Sequence, residues 1–169
     1  MNYRADMKTF ITTFLLFFSS YLFAKNKIVA HYRDYFGSEI TLNADSTFKY
    51  TWHFDISGSW TKGVYSLRHD TIYFQMIPTY DTISYSKSDG TFADKLILSE
   101  DEIAERFSPQ HPEIEGLSSG GQNVQAYPDK LFFKKGRLYK IYNGQLIVKK
   151  QKGFWSNKKW SPWFFKSND

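Results

Sequence analysis

Residues 40–74 read ITLNADSTFKYTWHFDISGSWTKGVYSLRHDTIYF, and this stretch decides the fold. Ile40 and Leu42 alternate with Thr41 and Asn43. After Ala44, Asp45 and Ser46, the residues Phe48, Tyr50, Trp52 and Phe54 alternate with Lys49, Thr51 and His53. A period of two sends successive side chains to opposite faces of a strand. The stretch therefore predicts a meander of half-buried antiparallel strands. On the return strand Trp60 and Tyr65 are five positions apart, which breaks strict alternation. Gly63 lies between them and marks an expected bulge that resets the register. The inward set is then Tyr50, Trp52, Phe54, Trp60 and Tyr65.

Outward from this centre, strands are expected at 28–33, 38–43, 47–54, from Ser57 through Leu67, and at 71–76. Further strands are expected at 80–86, 94–99, 131–133, 138–142 and 146–148. Arg68-His69-Asp70, Ser88-Asp89-Gly90 and Asn143-Gly144 supply the turns, and Asn-Gly is the strongest short hairpin signal. Ser99 followed by Glu102 has the capping-box pattern, so a short helix is expected over 100–107, with Pro109 ending it. A long loop at about 99–128 carries prolines and glycines, and long ordered loops in small domains are often functional. Short strands joined mostly by tight turns make an all-β chain. Closing an antiparallel up-and-down meander into a small barrel removes exposed edges. A half-open sandwich is the rival arrangement.

The chain has 169 residues, enough for one domain, and 20% of them are aromatic, so a core forms without cross-links. It has no cysteine, which excludes disulfides, thiolate metal sites, cysteine nucleophiles and a lipid-attachment cysteine. Lys8 precedes an apolar run of 14 residues at 10–23, followed by Ala24 and Lys25-Asn26-Lys27. A basic flank, a run too short to span a bilayer and a small residue at the junction describe a secretory signal peptide. The expected protein is exported, periplasmic or secreted after cleavage near Ala24, with one barrel domain over 25–169.

Gly116-Leu117-Ser118-Ser119-Gly120 fits the nucleophile-elbow pattern, but that motif needs a strand before it and a helix after it. Proline-rich, glycine-rich surroundings make it a loop instead. His31, His53, His69 and His111 stand at no metal-ligand spacing, and the carboxylates form no acid–base pair by spacing. No catalytic residue, metal or cofactor is expected.

Charge is distributed unevenly. Residues 130–169 hold eleven Lys and Arg against one acid, so this part is +10 and the remainder −5. There Lys149, Lys150, Lys152, Lys158 and Lys159 interleave with Trp155, Trp160 and Trp163. Lysine neutralises anionic groups, and tryptophan stacks or sits at a bilayer interface. The segment is therefore a final strand whose aromatics cap the barrel, a contact for an anionic envelope or membrane surface, or a glycan site. Nucleic acid is not an expected partner of an exported chain.

The series I-T-L-N-A-D-S-T-F-K-Y, S-G-S-W, G-V-Y-S-L and D-T-I-Y-F resembles small exported lipocalin-like barrel proteins of Gram-negative bacteria. It is also similar to the N-terminal barrel of the NlpE-like lipoproteins. The likeness covers about a fifth of the chain and resides in turn and core geometry. The Cys-x-x-Cys and the lipid-attachment cysteine of the NlpE-like proteins are absent, and no functional residue carries over. The aromatic face and the long loop near a barrel rim make a non-enzymatic barrel the leading expectation, with an enzyme on the same scaffold as a further alternative. An eight-stranded barrel is either filled or holds one small ligand, so the aromatic set is core or ligand lining. The expected ligand is small and apolar or amphiphilic. The other expected role is envelope interaction through the basic, aromatic C-terminal surface.

Overall fold

A computed structural model describes residues 27–108, 121–123, 127–153 and 157–167. The expected signal segment, His111, Ser118 with its flanking glycines, and Trp155 lie outside the described residues.

The first five strands are consecutive antiparallel neighbours: β1 (Ala30–Arg33), β2 (Ser38–Leu42), β3 (Thr47–Phe54), β4 (Ser57–Arg68) and β5 (Thr71–Met76). The chain then leaves the meander for a three-stranded sheet of β6 (Tyr80–Ser86), β7 (Phe92–Leu98) and β8 (Arg106–Phe107). It returns as β9 (Lys130–Lys134) beside β5, and turns into β10 (Arg137–Tyr142). A second excursion holds β11 (Gln145–Leu146), β12 (Gln151–Lys152) and β13 (Lys159–Trp160). Finally β14 (Phe164–Lys166) inserts between β10 and β1. The result is an eight-stranded, closed antiparallel barrel of β1 to β5, β9, β10 and β14. No sandwich forms.

Turn chemistry fixes the registers. Arg68 pairs Thr71, Lys134 pairs Arg137 and Tyr142 pairs Gln145, so each hairpin has a two-residue loop. Both loop residues have positive φ in all three: His69 and Asp70, Lys135 and Gly136, Asn143 and Gly144. That conformation matches the right-handed twist of the flanking strands.

Three expectations need correction. Residues 100–107 form bends and the short β8, not a helix. The Ser99 hydroxyl does accept the Asp101 amide, but Asp101 then accepts the Ile103 amide in a turn of its own. Aspartate competing for nearby backbone N–H groups favours turns over helix. Second, β6 and β7 lie outside the barrel, and the tail strand β14 completes the ring. Alternation marks a strand without naming its neighbour. Third, β3 and β4 pair without interruption from Thr47–Val64 to Phe54–Ser57, so Gly63 hosts no bulge.

Cross-strand partners share a face. Tyr50 pairs Thr61 and Phe48 pairs Gly63, which puts Thr61, Gly63 and Tyr65 inward. The interior is packed by Ile40, Leu42, Phe48, Ile72, Leu131, Leu138 and Phe164, all at most 2% exposed. Phe48 meets Phe74 edge-on at 4.8 Å between centroids, a favoured aromatic geometry.

Candidate functional site

The barrel is not equally filled along its axis. At the end formed by the β2–β3, β4–β5 and β9–β10 turns, side chains occupy the interior. At the other end β2 begins with Ser38, and β3 runs out through Trp52. A cleft of about 520 Å³ opens there, between Phe36, Ser38, Tyr50, Trp52, Ser59 and Lys140, with Asn123 and Gln151 also on its wall. Sites for small molecules span roughly 300–1,000 Å³ and combine aromatic walls with a few polar groups.

Alternation builds this mouth from short side chains. Ser38 pairs Trp52, and Trp52 pairs Ser59, so all three share the inner face. Deeper positions of the same strands carry Ile40 and Phe48. Serine at the rim leaves volume that isoleucine or phenylalanine would fill. The Tyr50 hydroxyl donates to Ser38 Oγ at 3.1 Å, which fixes the floor of the cleft. Burial raises the Tyr50 pKa, the Ser38 hydrogen bond pulls it down, and Asp34 adds a smaller upward push. Tyr50 is therefore a neutral hydroxyl at physiological pH.

One wall carries charge. Asp34 follows β1 and its side chain is fully buried. Its Oδ1 accepts the amides of Phe36 at 2.8 Å and Ser38 at 2.9 Å, and its Oδ2 accepts Lys140 Nζ at 3.0 Å. Lys140 shares the inner face of β10 with Leu138, and its ammonium lies 5.2 Å from the centre of the Phe164 ring. The Lys140 side chain is 33% exposed.

The aromatic set expected from the sequence divides among four environments. Tyr50 and Trp52 line the cleft. Phe54 stacks on Trp52 at 6.3 Å and 18° at the rim. Tyr65 belongs to the core near the filled end, where its hydroxyl donates to the Asn43 carbonyl at 2.6 Å. Trp60 is on the outer face, which corrects its inward assignment. Its indole donates to the Glu100 carbonyl at 2.8 Å, and its own carbonyl accepts the Asn123 amide at 2.9 Å. The indole is thus buried beneath the chain that follows β7. The even–odd difference between Trp60 and Tyr65 is real, and unbroken pairing sends them to opposite faces.

Phe36, Ser38, Ser59, Asn123, Lys140 and Gln151 were missed as site residues. Ser38 and Ser59 were legible, because each continues an inward parity. Lys140 was masked by its neighbours, since Leu138, Tyr139 and Ile141 make both faces of β10 look apolar. Asn123 and Gln151 arrive from distant chain and carry no local signal.

The C-terminal set divides by residue type. Lys149, Lys150, Lys152, Lys158 and Lys159 are exposed. Trp160 packs against Tyr35 at 4.7 Å, and Trp163 packs against Tyr139 at 5.5 Å, so these indoles cover the outer barrel wall. Arg137 lies 5.4 Å from the Trp163 ring and Lys158 lies 4.1 Å from that of Trp160. His53 and His69 are exposed, while His31 Nδ1 is 3.0 Å from Thr41 Oγ1. Among the described residues, no group of three or more His, Asp and Glu is placed to hold a metal ion.

No family model, curated protein or solved structure matches this chain.

Proposed function

We propose that the protein is a non-enzymatic, exported, lipocalin-like barrel that binds a small apolar or amphiphilic ligand at its open mouth. The observation that carries this reading is the cleft of about 520 Å³ walled by Phe36, Tyr50 and Trp52 above a filled interior. The floor blocks passage along the barrel axis, so a ligand enters and leaves by one end. Lipocalin-like resemblance over residues 40–74 supports the same reading. The exported form would begin near Lys25, just ahead of the buried Ile28, so the cut removes no described core residue. N-terminal sequencing of the exported protein tests this, and retention of the apolar run at 10–23 overturns it.

The binding test uses the uncharged fluorophore N-phenyl-1-naphthylamine. Purified protein is expected to enhance its emission saturably. Trp52→Ala should weaken that binding about tenfold, the loss of ~1.4 kcal/mol from an aromatic wall. Unaltered binding by that variant, or no binding by the parent, removes the mouth as the site.

A second reading is favoured by one feature of the tail. In the β12–β13 ribbon Lys152 stands directly opposite Lys159. Like charges in that position repel. An anionic partner between them removes the repulsion, which supports contact with an anionic envelope surface. Mutating Lys149, Lys150, Lys158 and Lys159 together to Glu should abolish sedimentation with phosphatidylglycerol vesicles. Undiminished sedimentation eliminates this reading.

A further inference from the structure

We infer that the mouth selects ligands carrying a carboxylate head on an apolar body, and that Lys140 receives the carboxylate. The inference rests on the ligand-binding reading above and deepens it. Lysine on the inner face of a barrel strand is costly, because its charge leaves water. Here the register leaves no choice, since Lys140 pairs Leu131 on the face that also carries Leu138. Asp34 offsets the cost and holds the ammonium in place at 3.0 Å across a sequence separation of 106.

A structural lock between the β1–β2 turn and β10 does not require these charges. The two amides donated to Oδ1 already order the turn. Replacing a buried ion pair by apolar residues is often neutral or stabilising, so the pair is weak as a pure stabiliser. Its asymmetry is what a binding site needs. The carboxylate is fully buried and receives three donors, whereas a third of the lysine side chain remains exposed. A ligand in the cleft therefore meets the positive end of the pair.

The remaining lining sharpens the preference. Among the described residues of the cleft wall, Lys140 alone is charged, and no carboxylate faces the ligand. Ser38, Ser57, Ser59, Asn123 and Gln151 are neutral groups able to donate to an anion's oxygens. Phe36, Tyr50 and Trp52 offer apolar surface to the body of the same molecule. Low-dielectric walls strengthen the ammonium–carboxylate attraction beyond its value in water.

Displacement of bound N-phenyl-1-naphthylamine by octanoate and by octanol tests the inference. Octanoate should displace the probe at about tenfold lower concentration than octanol, the worth of one charge-assisted hydrogen bond. Lys140→Met should abolish that preference. Asp34→Asn keeps an oxygen for the Phe36 and Ser38 amides but removes the internal counter-charge. It should widen the preference for octanoate further, an effect that a purely structural lock would not produce. Should Lys140→Met fail to fold, Asp34→Asn decides alone. Equal displacement by the two compounds from the parent protein, or a preference that Asp34→Asn does not widen, overturns the inference and leaves ligand binding standing. Failure of the parent to bind the probe overturns the ligand-binding reading itself.

Discussion

Gly63 pairs Met76 where the β5 backbone lies against its α-carbon. A Cβ there would lie 2.1 Å from the Gln75 carbonyl oxygen and 2.9 Å from Met76 Cα. Both obstacles are backbone, so no rotamer change relieves them. Gly63→Ala is expected to destabilise the barrel by at least about 2 kcal/mol, as overpacked cores do. Chemical denaturation measures it, and an unshifted midpoint contradicts the close approach. Tyr32 gives a pH-dependent counterpart. Its hydroxyl donates to the Ile28 carbonyl at 2.9 Å, and the residue has no exposed surface. Burial first, and then Tyr65, raise its pKa from 10.0 to about 12. A raised folded pKa means stability is fully present below the unfolded value and is lost as pH climbs toward the folded one. Roughly 2–3 kcal/mol should disappear between about pH 10 and pH 12. Tyr32→Phe should flatten that alkaline decline, as thermal melts across the range would reveal. At this scale the sequence announced Gly63 as special but not why. A break in alternation looks the same whether a bulge resets the face or two faces are each occupied.

The strands differ in how firmly their neighbours hold them. β3 and β4 pair over eight positions, whereas β14 contributes only three residues to the wall. Yet Phe164 is wholly buried, and β14 bonds to both β10 and β1. Phe164→Ala should cost about 3–5 kcal/mol. A chain ending at Gly153 should lose the cooperative unfolding transition, and calorimetry would show it. The outer sheet depends on a different clasp. The Gln122 carboxamide accepts the Thr79 amide at 2.7 Å and donates to the Ile77 carbonyl at 2.9 Å. Gln122→Ala leaves those backbone groups unsatisfied at about 1–3 kcal/mol. Limited proteolysis should then cut within 77–108 sooner while the barrel core stays protected. Element identity was largely legible, because alternation and two-residue turns are local. The capping box failed for a local reason too: Asp101 offered the backbone a competing turn.

For the whole molecule, the eight-stranded closed barrel follows from the sequence in outline but not in membership. Counting strands by pattern included β6 and β7, and left the tail open between a final strand, which β14 is, and a surface contact. Only three residues of β14 belong to the barrel, and the Lys-Trp-rich chain before it hides the period of two. The cleft was less legible still, because a rim is defined by where side chains stop filling space. Charge is arranged on the same large scale. The basic excess of the last forty residues becomes an exposed lysine ribbon beside an aromatic-clad wall. Lys159→Glu should convert a repulsive cross-strand pair into an attractive one, raising stability by about 0.2–1 kcal/mol. The gain should shrink in 1 M salt, where exposed charges are screened. An unchanged melting temperature at low salt would remove the repulsion argument.

The partner of the first strand is the last. β1 lies beside β14, so Tyr32 must wait for Lys166. During synthesis the chain emerges from its N-terminus, and contacts this distant in sequence form late and slowly. Until β14 is in place the barrel sheet stays open, with the edges of β1 and β10 both unpaired. It seals only when Phe164–Lys166 reach both neighbours. A chain handed through a narrow pore would thus stay threadable until β14 arrives, that strand acting as the latch on a door that the first strand had held open.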